Sequence, residues 1–298
     1  MTSEPAWRAL TRSDLSRVAA LAARCLAHDG GLPLAAGESF LGRRFAAPGG
    51  AAWGLAADPG ELLAAGAVRV EQAADGAHRA VLTGLVDPDH RGRGIGAALL
   101  DHGLARAAAL ADTVTVETEA LTGPAADLFA GRGLRRVFAE DVLRFDLART
   151  PLPAAPLPAD VRIDTWSAQA AARFFAVYTA AFRDRPGFPG WPLPRWVDWT
   201  AGDDEFRPGW SLLASRPGLG DVGFITCAEG WVVQVGVRPD QRGRRLGAAL
   251  VTEALRRMRA GGGDAVLLDV NVDNPAGELY RRLGFTPVGT RARFEPAD

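Results

Sequence analysis

The sequence predicts one α/β domain built twice in tandem, and three observations carry that prediction. A glycine-rich phrase, RGRGIGAALL at 91–100, recurs almost unchanged as RGRRLGAALV at 242–251. Setting Val86 against Val237, 151 residues further on, also sets Pro124 on Pro275, Leu128 on Leu279, Gly133 on Gly284 and Leu134 on Phe285. Matches at one constant offset over about fifty residues are the mark of an internal repeat. Finally, RTPLPAAPLPAD at 149–160 carries four prolines in twelve residues, which favours extended polyproline II backbone and removes amide donors. The boundary is placed there: a first domain over 1–148, a linker over 149–160 and a second domain over 161–298.

Each half reads as the same string of elements. TRSDLSRVAALAARCLAH offers capping residues and then apolar side chains at helical spacing, Leu15, Val18, Leu21, Ala22 and Cys25. TWSAQAAARFFAVYTAAF opens the second half in the same way. RAVLTGLV and WVVQVGV are β-rich and stop at Asp-Pro and Arg-Pro, where a strand must end. A helix follows each (IGAALLDHGLARAAAL, LGAALVTEALRRMRA), then a strand (TVTVET, AVLLDV), a short helix and a last strand.

Composition narrows the function. The chain has 298 residues, 48% hydrophobic, enough for two buried cores. No uninterrupted apolar run reaches membrane-spanning length, and MTSEPAWRALTRSD lacks the apolar segment of a secretion signal, so a cytoplasmic protein is expected. A net charge of -1 gives no basic footprint for nucleic acid. Cys25 and Cys227 fall in different halves, which suggests buried thiols and neither a disulfide framework nor a metal site.

A strand turning abruptly into a helix leaves the first helical amides unpaired, and the helix dipole adds partial positive charge. Glycines let an anionic ligand approach that backbone. The predicted ligand loops are Arg91, Gly92, Arg93, Gly94, Ile95 and Gly96 in the first copy, and Arg242, Gly243, Arg244, Arg245, Leu246 and Gly247 in the second. A Rossmann dinucleotide turn wants G-x-G-x-x-G, whereas Gly92, Gly94 and Gly96 give G-x-G-x-G; a Walker loop requires lysine, and the chain has none.

These residues carry a family resemblance. Val-x-Pro-Asp-x-Arg-Gly-x-Gly-Ile-Gly before a helix, and later a short helix ending LYRRLGF, resemble the GCN5-related N-acetyltransferases, in a tandem form loosely similar to the mycothiol synthase type. The resemblance implies two domains, each a mixed, splayed β-sheet with helices on both faces, and acyl-CoA entering where the fourth and fifth strands part. It implies transfer of an acetyl or other acyl group from acyl-CoA to the amine of a small molecule, by direct attack in a ternary complex. An acyl pantetheine on a carrier protein is an alternative donor, and a non-enzymatic acyl-CoA-binding module is the alternative function.

The family's acid, a tyrosine on the short helix after the fifth strand, falls on Tyr280, where the first copy has Phe129. A phenylalanine has no proton to give, so catalysis is expected in the second copy. Main-chain groups of Val235 and Val237 would pair with the pantetheine amides, and Asn274 joins them at the strand exit. Glu229 is the nearest match to the family's carboxylate base. Strand alternation puts Glu229, Trp231, Val233, Val235 and Val237 on one face. For the acceptor, Asp184, Trp191, Trp199 and Trp231 suit a cationic or ring-bearing amine, although core packing explains the tryptophans equally well.

Overall fold

A computed structural model describes residues 6–57, 60–72, 78–185 and 188–297. The chain divides into two compact units, Met1–Val142 with Val288–Asp298, and Leu143–Pro287. The first comprises β1 (Arg8–Ala9), α1 (Leu15–Asp29), α2 (Glu38–Phe45), β2 (Ala51–Ala57), β3 (Glu61–Gln72), β4 (His78–Val86), α3 (Ile95–Ala108), β5 (Thr113–Thr118), α4 (Gly123–Ala130) and the start of β6 (Leu134–Asp146). The second has β7 (Arg162–Thr165), α5 (Ala171–Phe182), α6 (Leu193–Ala201), β8 (Leu212–Arg216), β9 (Gly220–Ala228), β10 (Trp231–Val237), α7 (Leu246–Ala260), β11 (Ala265–Asn271) and α8 (Ala276–Arg282). The last strand, β12 (Thr286–Pro296), leaves the second unit and runs through the first.

In the first unit the strand order is β1-β2-β3-β4-β5-β12-β6, with β4 and β5 parallel and β12 antiparallel to β5 through Ala292, Arg293 and Phe294. In the second it is β6-β11-β10-β9-β8-β7, with β10 and β11 parallel. The strand beside β5 is therefore the C-terminal one. Residues expected in the second domain complete the first, because local periodicity identifies a strand without naming its hydrogen-bond partner. The proline-rich 149–160 segment is free of helix and strand, and its Leu152 and Ala155 pack on the second unit's core.

Helix α1 starts where Asp14 accepts the Thr11 amide at 3.0 Å, and stops at Gly30, whose φ of 71° few other residues tolerate. Its buried stripe is Val18, Leu21, Ala22 and Cys25, packed with Leu41 and Phe45 of α2. In the second unit α5 buries Ala171, Phe174, Val177 and Tyr178, and α6 buries Trp196. Below the other face of that sheet, α7 contributes Leu250, Val251, Ala254 and Leu255 to a core that includes Leu268 and Phe285.

Candidate functional site

The two glycine phrases fold alike. Each follows a strand and a short 3-10 turn, Pro88–His90 or Pro239–Gln241. Gly92 and Gly243 sit at φ 72° and 75°. The residue before each helix is then left-handed: Gly94 at φ 81° and Arg245 at φ 63°. Among the described residues Arg245 is the single non-glycine with positive φ. The missing glycine has thus not changed the loop; an arginine has been forced into a glycine's conformation. Ala98 and Ala249 donate back to residues 94 and 245, so the helical amides before them have no partner within the helix, an arrangement that suits an anion.

The leading arginines serve the loop itself. Arg91 donates Nε to the Val86 carbonyl at 3.1 Å and both terminal nitrogens to Asp29 at 2.7 and 2.6 Å. Arg242 repeats this, with Nε on the Val237 carbonyl at 3.2 Å and a terminal nitrogen on the Ala181 carbonyl at 2.8 Å. Arg93 reaches the Asp89 carbonyl, leaving exposed Arg244 and Arg245 as the side chains turned to solvent.

Beyond the loops the parallel strands part. In the first unit their pairing ends at Thr83 and Glu117. A cavity of about 450 Å³ opens there, with Gly84–Val86 on one wall and Thr118–Ala120 on the other. Toward the loop it is bounded by Gly92, Gly94, Gly96, Pro124, Leu128 and Phe129; under α1 and α2 it is bounded by Ala22, Cys25, Leu26, Leu41 and Phe45. The Cys25 thiol donates to the Val86 carbonyl at 3.4 Å, and burial pushes its pKa up, so it stays a thiol.

The cavity's charged wall is internally neutralised. Glu117, 6% exposed, accepts from Arg44 Nε at 2.9 Å and from Arg69 at 2.6 and 3.1 Å. Burial acts to raise its carboxyl pKa, but Arg69, Arg44 and Arg293 outweigh that and hold it below the ordinary carboxylate value. Glu119 accepts from Arg44 at 2.7 Å and pairs with Arg291 at 3.3 Å. A carboxylate so clamped is poorly suited to accept a proton from substrate.

In the second unit β10 and β11 share one pair, Trp231 with Leu267, and then separate. A Cβ built on Gly247 would lie 3.7 Å from Leu279 and 3.8 Å from Val237, so the loop, the end of β10 and α8 converge. Val235, Val237, Leu246 and Tyr280 belong to that one packed group. Tyr280 is 8% exposed, its ring edge-on to Phe285 at 5.9 Å, and burial pushes its phenol up to about 12. Phe129, its counterpart, lies 4.8 Å from Phe294.

The other expected residues are outside that packed group. Strand β10 has a bulge between Val232 and Gln234. The extra residue breaks the alternation, so Trp231 shares a face with Gln234 and Gly236 rather than with Val235 and Val237. Glu229 precedes the strand, half exposed, and accepts from Arg207 Nε at 2.8 Å. The strand alone covers roughly 13 Å from Trp231 to Val235 at about 3.3 Å per residue, so Glu229 stands away from the convergence. Asn274 spends its side chain on the Ala276 amide at 3.0 Å, at the start of α8. Asp184 is exposed in the turn after α5. Trp191 and Trp199 form a surface pair 5.6 Å apart, with the Arg195 guanidinium 5.0 Å from the Trp191 ring.

One residue escaped the sequence reading. A constant offset sets Glu117 against Leu268, but Leu268 faces α7 in the core, so its neighbour Asp269 takes the face that Glu117 occupies. The one-residue slip comes from the β10 bulge and the longer β11, which no periodicity announces.

Two glycine-loop units with parting parallel strands define a tandem acyl-CoA-type transferase fold. The model of the Acetyltransferase (GNAT) family matches residues 24–134 and 209–285, and the chain belongs to that family. Curated relatives include the mycothiol acetyltransferases of Thermobispora bispora, 35% identical over 295 residues covering 93% of this chain and 94% of that one, and of Thermomonospora curvata, 34% identical over 96% and 95%. Among solved structures, a GCN5-related N-acetyltransferase from Sphaerobacter thermophilus superposes with TM-score 0.74 at 25% identity, covering 97% of this chain and 94% of that one. A tandem GNAT protein from the clavulanic acid biosynthesis pathway does so with TM-score 0.64 at 22% identity over 98% and 99%, a likeness of fold. The chain is accordingly an acyltransferase of the kind that moves an acyl group from acyl-CoA to an amine. Among the described residues no helix is long and apolar enough to cross a membrane.

Proposed function

We propose that the second unit carries out the transfer and that the first binds acyl-CoA without turning it over. The donor is acetyl-CoA, and the acceptor is the amine of a small molecule of the kind served by mycothiol acetyltransferases. The observation that carries the reading is the pair Tyr280 and Phe129, the same place on α8 and α4, one with a hydroxyl and one without. In the second unit the amine attacks the thioester carbon directly, and the tetrahedral intermediate collapses by breaking the carbon–sulfur bond. Tyr280 gives its proton to the departing thiolate, and the proton that the attacking nitrogen sheds passes to solvent, from which the phenol is restored. A phenol pushed up to about 12 by burial is fully protonated at neutral pH, as that role requires. The half-buried Trp231 and the Trp191–Trp199 pair supply apolar surface to the acceptor, and the exposed Asp184 an anionic group.

Support for a silent first unit comes from its charged wall. Arg44 and Arg69 already neutralise Glu117, and Phe129 offers no proton. Glu229 has no part in the reading, since it is ion-paired with Arg207 and precedes β10, at the opposite end of that strand from Val237 and the glycine loop.

The test is Tyr280→Phe in the full chain, assayed for thioester consumption with acetyl-CoA against a panel of small amines. Turnover drops at least about tenfold, the lower end of what general acid catalysis supplies, while acetyl-CoA affinity stays within a factor of two. Unchanged turnover would remove Tyr280 and the second-unit assignment together.

A further inference from the structure

The first unit's cavity reaches from the glycine loop and the parting strands to a lobe under α1 and α2, walled by Ala22, Cys25, Leu26, Leu41 and Phe45. The second unit has no such side chains in the corresponding places. Matching the buried stripes, Val18, Leu21 and Cys25 on α1 against Ala171, Phe174 and Tyr178 on α5, sets Ala22 against Phe175 and Cys25 against Tyr178. The first buried positions of α2 and α6 set Leu41 against Trp196.

Those three rings fill the space they occupy. Tyr178 stacks on Trp196 at 5.1 Å, and Phe175 lies 5.6 Å from Trp196 and 6.0 Å from Tyr178. Phe182 and Phe224 close the cluster around Tyr178. Small residues in the first unit leave open what aromatic residues in the second close. The lobe's walls named above are apolar, and the polar groups at its edge, Arg44 and Glu117, already satisfy each other. A charged or hydroxylated acceptor would gain little there, whereas a hydrocarbon tail would leave water for a fitted apolar surface.

We infer that the first unit binds an acyl-CoA whose acyl group is longer than acetyl, housing the tail under α1 and α2, with Ala22 and Cys25 setting the depth of the lobe. The inference rests on the reading of the first unit as an acyl-CoA binder and adds the class of acyl group. The thioester is bound and not cleaved, so no bond is made or broken at this site.

The experiment is calorimetric titration of acetyl-CoA and butyryl-CoA into the full chain, into Cys25→Tyr and into Ala22→Leu, with circular dichroism confirming each fold. Burial of a methylene is worth about 0.8 kcal/mol, roughly fourfold in affinity, so two methylenes make butyryl-CoA on the order of tenfold tighter at one site of the unaltered protein. Each variant brings the two ligands within about twofold at that site, because the added side chain occupies the tail's space. Ala22→Leu is the smaller change and serves if Cys25→Tyr does not fold. Equal affinity for both ligands in the unaltered protein overturns the long-acyl inference while leaving acyl-CoA binding intact. A preference that survives both variants places the tail elsewhere and overturns it too. Failure of either ligand to bind overturns the underlying reading of the unit.

Discussion

Replacing Arg245 by glycine should stabilise the second unit, and replacing Gly94 by alanine should destabilise the first. Arg245 holds φ 63° and ψ 6°, close to the φ 81° and ψ -5° of Gly94. A residue with a Cβ gives up about 1–2 kcal/mol in that conformation. Glycine avoids the clash but loses more backbone entropy on folding, about 0.5–1 kcal/mol. The difference predicts a gain of about 0.5–1 kcal/mol for Arg245→Gly. The Arg245 side chain is exposed and makes no hydrogen bond among the described residues, so its removal has little to set against that gain. A Cβ at Gly94 meets nothing within 4 Å, so the alanine cost there is conformational alone, about 1 kcal/mol. Tryptophan fluorescence during urea unfolding is the assay, because Trp166, Trp191, Trp196, Trp199, Trp210 and Trp231 all lie in the second unit. If Arg245→Gly loses more than about 0.5 kcal/mol, the arginine makes a stabilising interaction that its geometry does not show, and the strain argument is refuted.

Glu117→Gln leaves Arg44 with Glu119 and Arg69 with Glu71 as their remaining carboxylates and should lower stability by about 1–3 kcal/mol, read by chemical denaturation. The same ion pair has a pH signature. Because the folded carboxyl titrates below its unfolded value of about 4.3, its contribution is complete above that pH and is lost as pH falls through the folded value. The acid limb of the stability profile below about pH 4 should therefore be shallower in Glu117→Gln, and an unchanged limb would mean other carboxylates set it. Gly66→Ala puts a Cβ 2.6 Å from the fully buried Trp53 ring and should cost about 1–3 kcal/mol by overpacking; a melting temperature within a degree of the parent would show that the ring can move aside.

Much of the fold was legible because its signals are local. The stripe of Val18, Leu21, Ala22 and Cys25, the prolines ending β4 and β10, and the repeated loop each depend on neighbours in sequence. What stayed hidden depends on distant pairing or on a single inserted residue. Nothing in Ala292, Arg293 and Phe294 says that they pair with Val116, Glu117 and Thr118 of the other copy. Nothing in WVVQVGV says that Val233 bulges, yet that bulge moves Trp231 to the other face and brings Asp269 rather than Leu268 opposite the place of Glu117. The partners of the loop arginines were hidden too: Asp29 and the Val86 carbonyl hold Arg91, and the Val237 and Ala181 carbonyls hold Arg242, none of which a local pattern names. The Tyr280 and Phe129 contrast needed only the repeat.

That contrast can be pressed through pH. Burial disfavours the charged phenolate of Tyr280 and pushes the group up to about 12, so its proton is in place across the range in which a transferase is assayed. Loss of an essential acid shows as a falling alkaline limb, and for Tyr280 that limb should not begin until about pH 11. A kcat profile for the unaltered protein should then show no alkaline fall between pH 7 and 10 that Tyr280→Phe abolishes. The variant should instead run parallel to the parent, lower by the same factor at each pH, because the missing proton was available throughout. If the parent falls with an apparent pKa near 9 and the variant is flat, the phenol titrates three units below the value that its burial imposes. The ring would then have to be hydrated or paired with a cation during turnover, and the packed setting against Phe285 would not be the catalytic one.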